Sequence, residues 1–193
     1  MKSIDLPNIN NITISGRIAS GTTTLAKGLS EVMGWKLLEG GELFSKIHEQ
    51  LHLSEVDSDQ RPDNFDTEYE EKIKKMLSEE SHQIIQSHLA GFDAQGIEKI
   101  FKILVVCEDQ NGNDMQDIRI DRLVNRRQIS VEDAKREVRE REKHNLEKWR
   151  RMYVKDNDSE WVYWDLKYYD LVVNTYSNDK EQSLKLALSA IGL

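Results

Sequence analysis

Between the β-branched run Ile12-Thr13-Ile14-Ser15 and an amphipathic stretch opening at Thr22, the chain places two glycines five residues apart, Gly16 and Gly21. This feature most constrains the fold, because it reads as a strand, a tight loop and a helix in immediate succession. The spacing follows the phosphate-binding pattern G-x-x-x-x-G-K-[ST], with Thr22 in the lysine position and Thr23 at the hydroxyl position. In such a loop the glycines let the backbone turn so that successive N–H groups aim at phosphate oxygens, backed by the positive end of the helix. Gly16, Arg17, Ala19, Ser20, Gly21, Thr22, Thr23 and Thr24 are therefore the expected nucleotide contacts, and the Thr23 hydroxyl the expected Mg²⁺ ligand. The plainer alternative is an ordinary strand-to-helix turn N-capped by Ser20 or Thr22, and the absent lysine is its main support. Arg17 either reaches a phosphate and offsets Thr22 or points to solvent; solvent is the expectation.

A chain of 193 residues suits one α/β domain. No apolar run approaches a membrane span, and the first eleven residues lack the basic and apolar pattern of a secretory signal. Cys107 is the single cysteine and lies in an apolar run, which excludes an internal disulfide and fits a reducing cytoplasm. A net charge of −8 argues against binding a nucleic-acid polymer. The distribution is uneven: residues 119–155 hold 13 Lys/Arg against 7 Asp/Glu. Such an arginine-rich island suits a small polyanion, or equally a solvated helix laced with pairs such as Glu137–Arg141.

Short apolar runs at 12–15, 35–38, 83–87, 102–107 and 171–174 read as strands, and the helical stretches between them imply parallel pairing. The first, fourth and fifth are the most apolar and are expected at the centre of the sheet. Helical spacing covers 22–33, 42–52, 69–80, 114–127, 131–153 and 184–191, with Ser130 as the N-cap of the longest. The polar segment 53–65, with Pro62, reads as a mobile loop. His48, His52 and His82 lie in charged stretches and are expected exposed, and His144 on the polar side of its helix. Trp161, Tyr163 and Trp164 read as packing of a helix onto the sheet, with base stacking as the alternative.

The loop ending Ser20-Gly21-Thr22-Thr23-Thr24 resembles that of the cytidylate (CMP) kinases, specifically the short archaeal-type branch, where threonine also fills the lysine position. Gly40-Gly41-Glu42-Leu43-Phe44 is similar to the branch's A-G-E-I-F, and Leu89-Ala90-Gly91 to the end of E-G-R-L-A-G. Ile129 to Ala134 resembles the S-V-E-E-A segment, and Asp170 to Thr175 resembles D-L-V-I-N-T. The order and spacing agree over roughly residues 11 to 191.

The resemblance implies a P-loop NTPase three-layer α/β fold with a central parallel five-stranded sheet, in one domain spanning 1–193. A helical NMP-binding insertion would occupy about 41–80 and an arginine-rich helical lid about 122–151. It implies an ATP-dependent kinase, using Mg²⁺, that phosphorylates CMP or dCMP; a monomer is expected separately, with oligomers left open. Arg122, Arg126 and Arg141 fall on family arginines, and Lys148 replaces one; these four would act on the transferring phosphoryl group. Arg119 stands outside the pattern, as a site residue or a surface residue.

The acceptor would meet Gly41, Ser45, Lys46, His88 and Gly91. Here the chain departs from the family: Ser45 and His88 stand where it has arginines, and Gln86 where it has an acid. Lys46 and Arg61 are candidate replacements for that charge. The same departures suit an alternative, a nucleotide-binding protein with altered acceptor specificity or little kinase activity.

Overall fold

The computed structural model describes residues 3–154 and 158–193. Five strands form one sheet: β1 (Asn11–Gly16), β2 (Lys36–Glu39), β3 (Gln83–Gln86), β4 (Ile100–Val106) and β5 (Leu171–Asn174). The order is β2-β3-β1-β4-β5, with every neighbour parallel. β1 is buried along its whole length, as a strand covered on both faces must be. The expectation that the fifth run is central is wrong: β5 is the edge strand, paired only with β4, and Val172 is exposed. Its apolarity reflects one covered face, where Val173 packs, rather than two.

Helix α1 (Thr22–Met33) buries Leu25, Ala26, Leu29 and Met33, and α8 (Lys180–Ala190) docks Ala187 beside them. Both cover one face of the sheet, against Ile12, Ile14, Ile84 and Val173. Each fully buried aliphatic side chain here contributes roughly 1.5–3 kcal/mol. The other face is covered by α3 (Asp63–Glu79), through Tyr69, Ile73 and Leu77, and by the short α4 (Ala90–Asp93), which the sequence reading missed. Between β2 and α3 lies α2 (Gly40–Leu51), which begins two residues earlier than expected. No helix among the described residues is long and apolar enough to cross a membrane.

Two expectations fail in the helical arms. Segment 53–65 carries a 3-10 turn, Ser58–Gln60, and buries Val56, Ser58 and Arg61, so it is packed. After α5 (Gln116–Arg127), the single helix expected over 131–153 divides into α6 (Val131–Arg136), a π turn (Glu137–Arg141) and α7 (Glu142–Tyr153). Ser130 caps α6 as expected, its hydroxyl accepting from Asp133 N–H. The π turn falls at residues that meet partners far away in sequence, a common location for such turns.

Candidate functional site

The carboxyl ends of β1 and β4 point to one edge of the sheet, the usual position of a ligand crevice in a parallel α/β fold. There the chain leaves Gly16, bends through Arg17 to Ser20 and enters α1. A Cβ on Gly16 would lie 2.5 Å from Val105 O and 2.6 Å from Ser20 Oγ, so only glycine fits. Gly21 has φ 114° and Ala19 has φ 60°, both in the left-handed region. No side chain caps α1, so the N-capping alternative is not what the loop does. The opening N–H groups of α1 therefore have no intrahelical or side-chain acceptor. Ser20 Oγ is buried without a partner.

Beside this uncapped end lies a cavity of about 580 Å³, with walls that include Gly21, Thr23, Thr24, Arg122, Arg126 and Thr175. Arg122 is fixed there: Nη1 donates to Thr175 Oγ1 at 2.8 Å and Nη2 to Thr175 O at 2.8 Å. The Thr175 hydroxyl donates to Ser20 O at 2.6 Å, tying the loop after β5 to the glycine-rich turn. A nucleoside polyphosphate fits these dimensions and this chemistry. So does one divalent cation. Mg²⁺ retains waters and phosphate oxygens in most of its positions, so one protein hydroxyl, that of Thr23, suffices. Among the described residues no group of three His, Cys, Asp or Glu is placed to hold a metal unaided.

A second, much smaller cavity, about 50 Å³, is bounded by Gly41, Phe44, Arg61, Gln86, His88 and Arg141 among others. The arginines of the basic segment are thus divided: Arg122 and Arg126 border the large cavity and Arg141 the small one. Gln86 Nε2 donates to Thr22 Oγ1 at 3.2 Å, joining the small cavity to the loop. His88 Nδ1 lies 2.8 Å from Gly16 O and 3.2 Å from the Tyr163 hydroxyl. A carbonyl only accepts, so Nδ1 carries the proton and donates. Burial, reinforced by the nearby Arg141 charge, pushes the imidazole down to about 4. It is neutral near pH 7.

Several expected site residues sit elsewhere. Ser45 and Lys46 are exposed, and Ser45 donates to Glu55 Oε1 at 2.6 Å. Gly91 is buried under Tyr169, its N–H donating to Ser15 Oγ at 3.0 Å. Lys148 borders neither cavity; it is buried, donating to Arg61 O and lying 2.8 Å from Asp66 Oδ2. His48 is buried rather than exposed, and His82 is half-buried, 3.0 Å from Asp5. His144 is half-buried too, with Nδ1 2.9 Å from Val56 O. His52 is exposed, as expected.

Arg17 does not point to solvent. Its guanidinium pairs with Glu142 and lies 3.2 Å from Asp114, over the Trp164 ring at 4.6 Å. Arg119 is fully buried, so the surface alternative fails; it donates to Ile18 O at 2.7 Å and pairs with Asp114 and Glu142. Sequence reasoning missed Glu142 and Asp114, since nothing local marks either one as a partner. Trp161 and Tyr163 are core residues, packed with Leu89 and Trp149.

A model described as the cytidylate kinase-like family matches residues 11–177. The cytidylate kinase of Methanothrix thermoacetophila is 32% identical over 184 residues, covering 93% of this chain and 96% of its own. That of Haloarcula marismortui is 29% identical over 183 residues, covering 93% and 88%. Among solved structures, a shikimate kinase from Bacteroides thetaiotaomicron superposes with a TM-score of 0.54 at 14% identity, over 95% of this chain and 99% of its own. A gluconokinase from Sinorhizobium meliloti gives 0.56 at 11% identity, over 94% and 91%. These likenesses show the P-loop kinase fold.

Proposed function

The chain belongs to the cytidylate kinase-like family, and from that premise we propose that it transfers the γ-phosphoryl group of ATP to a nucleoside monophosphate, CMP or dCMP, giving CDP or dCDP. The observation that carries the reading is the uncapped start of α1 beside a cavity of about 580 Å³ bordered by Thr23, Arg122 and Arg126. In this reading the ATP phosphates lie along Gly16 to Thr24, held by main-chain N–H groups in place of the missing ammonium. The Thr23 hydroxyl would hold Mg²⁺, which would supply neutralising charge to the phosphate oxygens. Arg122 and Arg126 face the donor and Arg141 the acceptor, so positive charge surrounds the position of the transferring group. The attacking oxygen belongs to an anionic monophosphate and needs no general base. The protein's task is alignment. We place the reaction in the cytoplasm, with the chain acting as a monomer.

A second reading rests on the acceptor side, where the cavity is about 50 Å³ and His88 is neutral. A small-molecule site needs roughly 300 Å³ or more, so an acceptor of nucleotide size requires the insertion and lid to part. If they do not, the protein binds nucleotide with little turnover, or takes a different acceptor.

Titration calorimetry with ATP, followed by a coupled ADP-release assay over CMP, dCMP, UMP, AMP and dTMP, separates these readings. Turnover greatest on CMP or dCMP supports the kinase. Tight ATP binding without turnover on any acceptor overturns it in favour of the second reading.

A further inference from the structure

The small cavity lacks the cations its position calls for. Ser45 is exposed and occupied by Glu55, Lys46 is exposed, and His88 presents a neutral ring. Two guanidiniums remain in its wall, Arg141 and Arg61. Arg61 comes from the segment before α3 and is only 3% exposed. Its orientation is fixed on every side. Nε and Nη2 donate to the two oxygens of Asp66 at 3.0 and 2.6 Å, and the plane lies 4.2 Å from the Phe44 ring centre. Nη1 lies 2.6 Å from His48 Nε2; since a guanidinium only donates, that nitrogen accepts and the ring proton sits on Nδ1, facing Glu55.

Asp66 does not cancel the Arg61 charge, because Lys148 lies 2.8 Å from the same carboxylate. Exposed Asp63 is in turn divided between Lys148 and Arg151. Arg141 is offset by Glu55 and Glu137, and Glu137 also pairs with Arg127. Glu70 also lies in the cavity wall, but burial and the neighbouring Asp93 push its carboxyl well up, toward the neutral form. The two guanidiniums therefore keep positive charge against the cavity, in a rigid planar form suited to a phosphate.

Resting on the kinase reading above, we infer that Arg61 supplies the acceptor-phosphate guanidinium that Ser45 and His88 do not, held against Phe44 by the Asp66–Lys148 pair. A purely architectural arginine would need the Asp66 contacts but not a place in the cavity wall beside Arg141. This makes Arg61 a binding residue for the monophosphate and leaves the ATP side untouched.

The test is titration calorimetry of CMP and of cytidine, with a non-hydrolysable ATP analogue present, alongside steady-state kinetics on CMP. The proteins are wild type, Arg61→Lys, Arg61→Met, and Arg61→Met combined with Ser45→Arg. Loss of charge-assisted hydrogen bonds is expected to weaken CMP roughly 10- to 100-fold in Arg61→Met, leaving cytidine binding and the KM for ATP within about twofold. Arg61→Lys keeps the charge but not the fork and falls between. If Arg61→Met does not fold, as judged by its melting curve, Arg61→Lys carries the test, since lysine still pairs with Asp66. Partial rescue by Ser45→Arg further supports the inference. Unchanged CMP affinity in a folded variant, or equal loss for CMP and cytidine, overturns it while the kinase reading stands on wild-type turnover. If wild type binds CMP without turning it over, the kinase reading fails and the binding comparison still decides the role of Arg61. Wild type that neither binds nor turns over a monophosphate overturns both.

Discussion

Arg17 Nε donates to Glu142 Oε1 at 3.0 Å across 125 residues of sequence, joining the glycine-rich loop to the first residue of α7. Glu142 also accepts from buried Arg119 at 3.1 Å, and Asp114 completes a group of two cations and two anions. Arg119 in addition holds Ile18 O. The loop is therefore tied to residues 114–142, while the adjacent Arg141 is held separately, by Glu55 and Glu137.

Removing the charge of Glu142 strands two guanidiniums on one carboxylate. Glu142→Gln is expected to destabilise the protein by about 2–4 kcal/mol, somewhat below the roughly 3–5 kcal/mol for breaking a buried pair, because glutamine keeps one acceptor oxygen. Arg17→Ala should cost less, about 1–2 kcal/mol, because Arg119 keeps its partners. Urea denaturation of both single variants and the double variant checks this, with a coupling energy of about 1 kcal/mol or more expected between the sites. Strict additivity would show the pair to be independent.

Ala19, at φ 60°, is a side-chain-bearing residue in a conformation that glycine adopts more readily. The left-handed region costs an L-residue about 1–2 kcal/mol, while glycine's extra freedom in the unfolded chain returns about 0.4–1 kcal/mol of that. Ala19→Gly should therefore raise the unfolding free energy by about 0.5–1 kcal/mol. Ala19→Val, β-branched at the same φ, should lower it. Denaturant midpoints of the two variants, moving in opposite directions, test the assignment.

What could be read from the sequence was local. The span of α1 coincides with the residues expected, because the apolar spacing and Gly34 are contiguous with it; Gly34, at φ 68°, closes the helix. Ser130 was legible as a cap for the same reason. The errors arise where partners are distant. His48 looked exposed in a charged helix, yet it is enclosed by Arg61 and Glu55. Segment 53–65 looked mobile by composition, but its polar groups are satisfied by α7 and the π turn before it: Val56 O by His144, Arg61 O by Lys148, and Glu55 by Arg141. On the site itself, the glycine spacing located the loop. The direction of Arg17 required Glu142, and nothing within a helical turn of either residue encodes that meeting.

Thr23 tests the metal. It borders the large cavity, and its hydroxyl is the group proposed to hold Mg²⁺. Thr23→Ala should lower kcat by roughly 10²-fold, the order seen when one positioned charge-stabilising contact is lost, and should raise the Mg²⁺ concentration needed for half-maximal rate. Thr23→Ser keeps the hydroxyl and should remain within a few-fold of wild type. Rates measured across a Mg²⁺ titration decide between them, and removal of the ion with EDTA should abolish turnover in all three proteins.

His88 gives the pH dependence. Its folded-state value is pushed from an ordinary 6.5 down to about 4, chiefly by burial and then by Arg141. Between those values the unfolded chain binds a proton that the folded chain does not, so stability rises with pH across the window. The contribution is fully present above pH 6.5 and lost as pH falls to about 4, amounting to about 3 kcal/mol at most. Glu55 is displaced in the same sense, but by opposing causes. Burial would raise it, but the His48 hydrogen bond and the Arg141 charge bring it down to about 2, so its contribution fades only below its ordinary 4.5. The two windows barely overlap. His88→Gln keeps an N–H donor for Gly16 O without a titrating proton, and its unfolding free energy should be flatter than that of wild type between pH 4 and 6.5. Denaturant unfolding of both proteins at half-unit pH steps measures the difference. Parallel curves across that interval would mean that the ring reaches solvent and titrates normally, and the neutral acceptor side described above would then be wrong.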